Sequence, residues 1–233
     1  MLLTTVTLLF AAHAFASPMQ VEERQSCPKI HIFGARETTA PAGYGTAGTV
    51  VNLVLSAFPG STAEAIVYPA CGGQSNCGGK SYAASAFEGT GNVAKTVNAY
   101  NTKCPTTQLV LVGYSQGGQI MDNAFCGGGD TNIGLSDTKT PIQESAIQMI
   151  KAAIFMGDPR YISGLPYNVG TCTAKGFAPR PAGFTCPVAA SVKSYCDAAD
   201  PYCCNGNDAN AHQQYGNKYG QAALTFIKSK LTT

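Results

Sequence analysis

Along the chain, short runs of apolar and β-branched residues alternate with longer stretches whose apolar positions recur at helical spacing. Residues 29–34, KIHIFG, predict a first strand, and a helix follows over about residues 44–58. A second strand is expected at residues 63–68. Between Ser81 and Cys104 the residues Ala84, Phe87, Val93, Val97 and Tyr100 stand at roughly helical intervals, although Gly89 and Gly91 interrupt the pattern. The apolar run QLVLV at 108–112 predicts a third strand. After it come helices over about 116–125 and 141–150, strands over 152–156 and 192–196, and a closing helix over about 215–231. Alternation of this kind implies an α/β fold with a parallel sheet covered by helices on both faces. Two connections are long: 126–140, rich in Gly, and 158–191, rich in Pro and Gly. The second leaves the carboxyl end of a strand, the edge at which open α/β sheets bind ligands.

Composition narrows the class. A length of 233 residues is ample for one domain, and no internal repeat or Ser/Thr/Pro linker marks a second. Charged residues make up only 12%, about half the usual share, and a net charge of +2 on scattered Lys and Arg excludes the basic stripe that nucleic acid requires. Residues 2–16 form an apolar stretch closing on Ala14-Phe15-Ala16, the pattern of a secretory signal cut before Ser17, although its start lacks Lys and Arg. The stretch is interrupted by threonines and His13 and is short for a span of about 20 residues, so a membrane anchor is not expected. Residues 17–24 read as a pro-segment cut after Arg24, and 25–233 is expected to be a single domain, secreted and monomeric. All ten cysteines, at 27, 71, 77, 104, 126, 172, 186, 196, 203 and 204, lie in that domain, and their even number behind a signal argues for disulfides. A metal site is opposed by the scarcity of ligands: outside the leader the histidines are His31 and His212, and no pair of C-x-x-C motifs occurs.

Chemistry concentrates at Gly113-Tyr-Ser-Gln-Gly117, set between the apolar strand and a helix. In this strand, turn and helix arrangement the serine occupies a strained position, and the glycines two residues either side let strand and helix approach. Ser115 is the candidate nucleophile, and the amide of Gln116, at the helix start, is a candidate donor to a developing oxyanion. A serine needs a base. His31 alternates with isoleucines inside a strand and is read as structural, so His212 is the base by elimination. The orienting carboxylate of such hydrolases falls between serine and histidine along the chain. Of Asp122, Asp130, Asp137, Glu144, Asp158, Asp197, Asp200 and Asp208, only Asp158 and the pair Asp197/Asp200 follow closely on a strand. Asp200 is preferred, because Cys196-Asp-Ala-Ala-Asp-Pro-Tyr-Cys203 is a segment that a disulfide can pin; Asp158, next to Pro159, reads as the cap of its loop and remains the competitor.

With GYSQG at 113–117, the C-x-x-x-D-x-x-C frame around Asp200 and a histidine shortly afterwards, the chain resembles the fungal cutinase-like esterases. Its narrower resemblance is to the acetylxylan esterases of carbohydrate esterase family 5, carried by SCPKIHIFGARETTAPAGYG, YPACGGQSNCGG, CGGGD, KAAIFMGDPR, RPAGFTCP and SYCDAADPYCCNGN. The resemblance implies a three-layer sandwich around a parallel sheet of about five strands, without a lid. It also implies a triad of Ser115, Asp200 and His212, an oxyanion hole completed by Thr38 with the Gln116 amide, and no metal or cofactor. By the same frame the pairs Cys27–Cys104, Cys71–Cys77, Cys126–Cys204, Cys172–Cys186 and Cys196–Cys203 are expected. The substrate implied is acetylated xylan or a similar plant-wall polysaccharide, with Tyr202 as a candidate substrate-binding residue. A cutinase or other lipid-ester hydrolase, and more remotely a non-catalytic wall-binding or elicitor protein, are the alternatives.

Overall fold

The structure, a computed structural model, describes residues 27–232; the expected signal and pro-segment lie outside the described residues. Six parallel strands, β1 Ile30–Ala35, β2 Thr62–Ala65, β3 Gln108–Tyr114, β4 Ile150–Met156, β5 Asn168–Val169 and β6 Val192–Tyr195, form one sheet in the order β2-β1-β3-β4-β6-β5. Period-two alternation sends neighbouring residues to opposite faces. Phe33, Leu109, Leu111, Ala153 and Phe155 pack on α2 (Tyr82–Lys103), α3 (Gln116–Cys126) and α4 (Glu144–Met149). Ile32, Val110, Val112, Ile154 and Met156 pack instead under α1 (Gly48–Ala57) and α6 (Tyr215–Lys230). Because both faces are covered, β1 and β3 are buried along their whole length and read in sequence as near-continuous apolar runs.

The expected architecture is present, with a sixth strand in place of about five. Asn168 and Val169 pair with Ser194 and Tyr195 at the sheet edge, and two residues are too few to leave a period in the sequence. The strand order reverses between β1 and β3, which opens a crevice at their carboxyl ends. No helix among the described residues is long and apolar enough to cross a membrane.

Five disulfides form, three of them as the family frame implied: Cys27–Cys104, Cys71–Cys77 and Cys196–Cys203. The other four cysteines exchange partners. Cys126 bonds Cys186, and Cys172 bonds Cys204. The long connection 158–191 folds back over the end of α3, where the Arg180 guanidinium donates to Asp122 Oδ2 at 2.9 Å and to the Gly127 carbonyl; this brings Cys186 to Cys126 with Cα atoms 4.8 Å apart. Cys172 follows β5, and its amide donates to the Cys196 carbonyl at 3.1 Å, beside the turn that carries Cys203 and Cys204. Cys204 is therefore within its reach, while Cys196 is taken by Cys203.

Candidate active site

The elbow geometry follows from backbone crowding. A Cβ on Gly113 would collide with the carbonyl of Gly117, and one on Gly117 with the carbonyl of Ala35 in β1, so only glycines let β3, α3 and β1 close on this turn. Ser115 between them is forced to φ 53°, ψ −120°. Its side chain does not cap α3, and it is the one residue from 107 to 127 that is not buried. The hydroxyl is thus held up toward solvent at the crevice between β1 and β3.

Strain gathers here. Among the described residues the non-glycine positions with positive φ are Thr39, Ala70 and Ser115, a conformation that costs about 1–3 kcal/mol each and persists only where the surroundings impose it. The three are linked. Thr39 N–H donates to the Ala70 carbonyl at 2.7 Å, and Gln116, fully buried, donates its side-chain Nε2 to the carbonyl of Cys71 at 3.0 Å. Ser85 Oγ bridges them, donating to Gln116 Oε1 at 2.9 Å and accepting the Cys71 amide at 2.9 Å. The segments bearing Thr38 and Gln116 are therefore braced by the same point of the chain, Ala70–Cys71, which the Cys71–Cys77 disulfide staples.

The imidazole of His212 stands at the end of α5 (Ala209–His212) and is 5% exposed. Its Nδ1 lies 2.7 Å from Oδ2 of the fully buried Asp200. The ring is aimed by its neighbours: Tyr114, the residue before Ser115, donates its hydroxyl to the His212 carbonyl, and Gly157 lies against the imidazole directly after Met156, whose carbonyl accepts the Ser115 amide at 2.8 Å. Asp200 accepts further hydrogen bonds from the Tyr215 hydroxyl at 2.8 Å and the Tyr202 amide at 2.7 Å. Burial works to raise this carboxyl, but the hydrogen bond and charge of His212, with the Tyr202 amide and Tyr215 hydroxyl, outweigh it and hold the group below the ordinary carboxylate range. Asp200 thus stays ionised, and with His212 Nδ1 engaged, Nε2 is the nitrogen left free.

The competing carboxylates are committed elsewhere. Asp158 Oδ1 accepts the Arg160 amide at 2.9 Å, as the cap of its loop, and burial together with Asp122 pushes its carboxyl well above the usual range. Asp197 takes Lys218 Nζ at 2.7 Å and the Tyr219 hydroxyl at 2.8 Å on α6. His31 stacks on Tyr100 with ring centroids 3.9 Å apart, toward the amino end of β1, and burial lowers its imidazole to about 4. The sulfurs of Cys172, Cys196 and Cys204 lie within 4.8 Å of one another, but each is spent in a disulfide.

Among known proteins, the family model described as cutinase matches residues 26–231. The chain belongs to the cutinase family. Within that family it is 62% identical over 224 residues, 96% of either chain, to acetylxylan esterase 2 of Talaromyces purpureogenus. It is 64% identical to cutinase 11 of Verticillium dahliae, over 98% of this chain and 78% of that one. The catalytic core domain of acetyl xylan esterase from Trichoderma reesei superposes with a TM-score of 0.88 at 64% identity, covering 88% of this chain and all of that domain.

Two groups in this cutinase-family site went unread in the sequence, Tyr215 and Gly157. Tyr215 looks like one more apolar position of the closing helix. Gly157 follows an apolar strand without any local mark, yet its φ is +60° and an added Cβ would stand 2.6 Å from His212 Cε1 and 2.8 Å from Nδ1. Gly157→Ala is expected to push the imidazole off Asp200 and lower kcat on 4-nitrophenyl acetate by about 100-fold with circular dichroism unchanged. Wild-type turnover in this variant would mean that the ring is not fixed by this contact.

Proposed function

We propose that the chain is a secreted serine esterase that removes O-acetyl groups from acetylated xylan. The observation that carries the reading is the Asp200–His212 pair held against Tyr114, which precedes the strained Ser115, and against Gly157, which follows the Met156 whose carbonyl accepts the Ser115 amide. Ser115 Oγ attacks the acetyl carbonyl carbon while His212 Nε2 takes the hydroxyl proton. The carbonyl oxygen becomes an oxyanion that the Gln116 and Thr38 amides receive at the positive end of α3. Collapse breaks the bond to the sugar oxygen, which leaves with the proton from the imidazolium, and Ser115 is left acetylated. Water then gives a proton to His212, attacks the acetyl carbon and displaces Ser115 Oγ, which recovers that proton; acetate departs. Asp200 fixes the tautomer and stabilises the imidazolium.

The choice of acyl group and polymer is supported by the relatives named acetylxylan esterase, and the Tyr202 ring, 4.6 Å from that of His212, gives the site an aromatic neighbour. Cutinase 11, similarly close in sequence, keeps a lipid-ester substrate as the second reading. Export through the leader at 1–16, trimming after Arg24 and a monomeric catalytic domain over 25–233 belong to the same proposal. Acetate release from acetylated xylan, set against hydrolysis of long-chain 4-nitrophenyl esters, tests it. Fast acetate release with weak long-chain turnover is expected; the reverse would move the protein to cutin or lipid esters. Failure of an organophosphate to label Ser115 would remove esterase function altogether.

A further inference from the structure

We propose that Phe177, braced by Tyr82 and joined to Tyr202, is a stacking platform for a pyranose ring adjoining the acetylated sugar, a subsite that sets where along the polymer Ser115 acts. The proposal rests on the reading of the protein as a polysaccharide esterase. Phe177 is 51% exposed and Tyr202 42% exposed; among the described residues Phe87, on α2, is the one other large aromatic exposed to this degree. The two belong to one surface, because the Phe177 amide donates to the Tyr202 carbonyl at 3.1 Å and the Tyr202 ring lies over His212. On the other flank Tyr82 meets Phe177 edge-on, with centroids 5.4 Å apart and planes at 70°. The Tyr82 hydroxyl donates to Gln119 Oε1 at 2.6 Å, and Gln119 sits one helical turn beyond Ser115, its amide donating to the Ser115 carbonyl at 3.0 Å. The three aromatic rings thus reach from the helix that carries the serine to the imidazole.

Phe177 is rigidly mounted. Gly176 N–H donates to the Tyr161 carbonyl at 3.0 Å, Ala178 N–H to Pro159 at 3.2 Å and Arg180 N–H to Arg160 at 3.0 Å, a ladder on both sides of the phenyl ring. The buried Arg160 guanidinium adds bonds to the carbonyls of Ala178 and Pro179, at 2.9 and 3.1 Å, and to Asp130 at 3.0 Å. A ring held in water on a fixed backbone gives up little freedom when a ligand covers it. A pyranose offers a C–H face that packs on such a ring while its hydroxyls remain hydrated. A small aryl acetate has no neighbouring sugar to place there, so the platform distinguishes polymer from small ester.

Phe177→Leu keeps an apolar side chain but removes the ring face. The ratio of kcat/KM on acetylated xylan to kcat/KM on 4-nitrophenyl acetate is expected to fall about tenfold, through KM for the polymer, and Phe177→Tyr to restore it. Parallel losses on both substrates, or an unchanged ratio, would overturn the platform. If the wild-type protein releases no acetate from xylan while hydrolysing 4-nitrophenyl acetate, the polysaccharide reading falls and the platform with it; acetate release indifferent to residue 177 removes the platform alone.

Discussion

Alanine at position 115 is expected to lower kcat on 4-nitrophenyl acetate by about a million-fold, leaving a protein that is folded but inert. The magnitude follows from the arrangement around the serine. Its hydroxyl is the group that forms the acyl bond in the proposed reaction, and the imidazole and carboxylate act only through it, so removing it silences all three together. The fold should not suffer. The Ser115 hydroxyl caps no helix, its residue is only partly buried, and the elbow is maintained by the backbone contacts of Gly113 and Gly117. Steady-state rates with circular dichroism as a control decide the matter, and residual activity within a hundredfold of wild type would show that another group is the nucleophile.

Asp200→Asn is the second large effect, about ten-thousand-fold in kcat near neutral pH. An asparagine amide can present a donor to His212 Nδ1, which turns the ring to the tautomer that holds a proton on Nε2, where the base must be empty. The Tyr202 amide and Tyr215 hydroxyl would keep the new side chain seated, so the loss belongs to chemistry and not to folding. Asp158→Asn is expected to retain most activity. Its carboxyl, pushed well above the usual range by burial and by Asp122, has nearly the shape of an amide and bonds the Arg160 amide rather than histidine. An inactive, folded Asp158→Asn beside an active Asp200→Asn would exchange the two assignments.

The parts of this site legible in the sequence were local. Residues 108–117 carry strand, turn and helix in one unbroken stretch, so the elbow could be read without any distant contact, and His212 emerged because so few histidines compete with it. What depends on folding back was hidden. The partners of Cys126, Cys172, Cys186 and Cys204 are chosen by where the connection 158–191 lies, and that is decided by buried Arg160 and Arg180, whose carbonyl and carboxylate partners lie up to 58 residues away. The helix expected over 141–150 shrinks to Glu144–Met149 because Ile150 is taken by β4, where it pairs with Leu109. Tyr215 could not be singled out, since burial and a hydroxyl bond to Asp200 leave the same trace in a sequence as an ordinary helix position.

Adjacent Cys203 and Cys204 are fastened in different directions, one to Cys196 at the end of β6 and the other to Cys172 after β5. Asp200 is enclosed in the smaller of the two covalent rings, with the sheet margin on either side. That segment has little independent freedom to fray, because the two disulfides tie it to the ends of β5 and β6. On heating, the catalyst should remain competent up to the cooperative melting of the whole domain and then fail abruptly, instead of fading through a series of loosened but still compact forms.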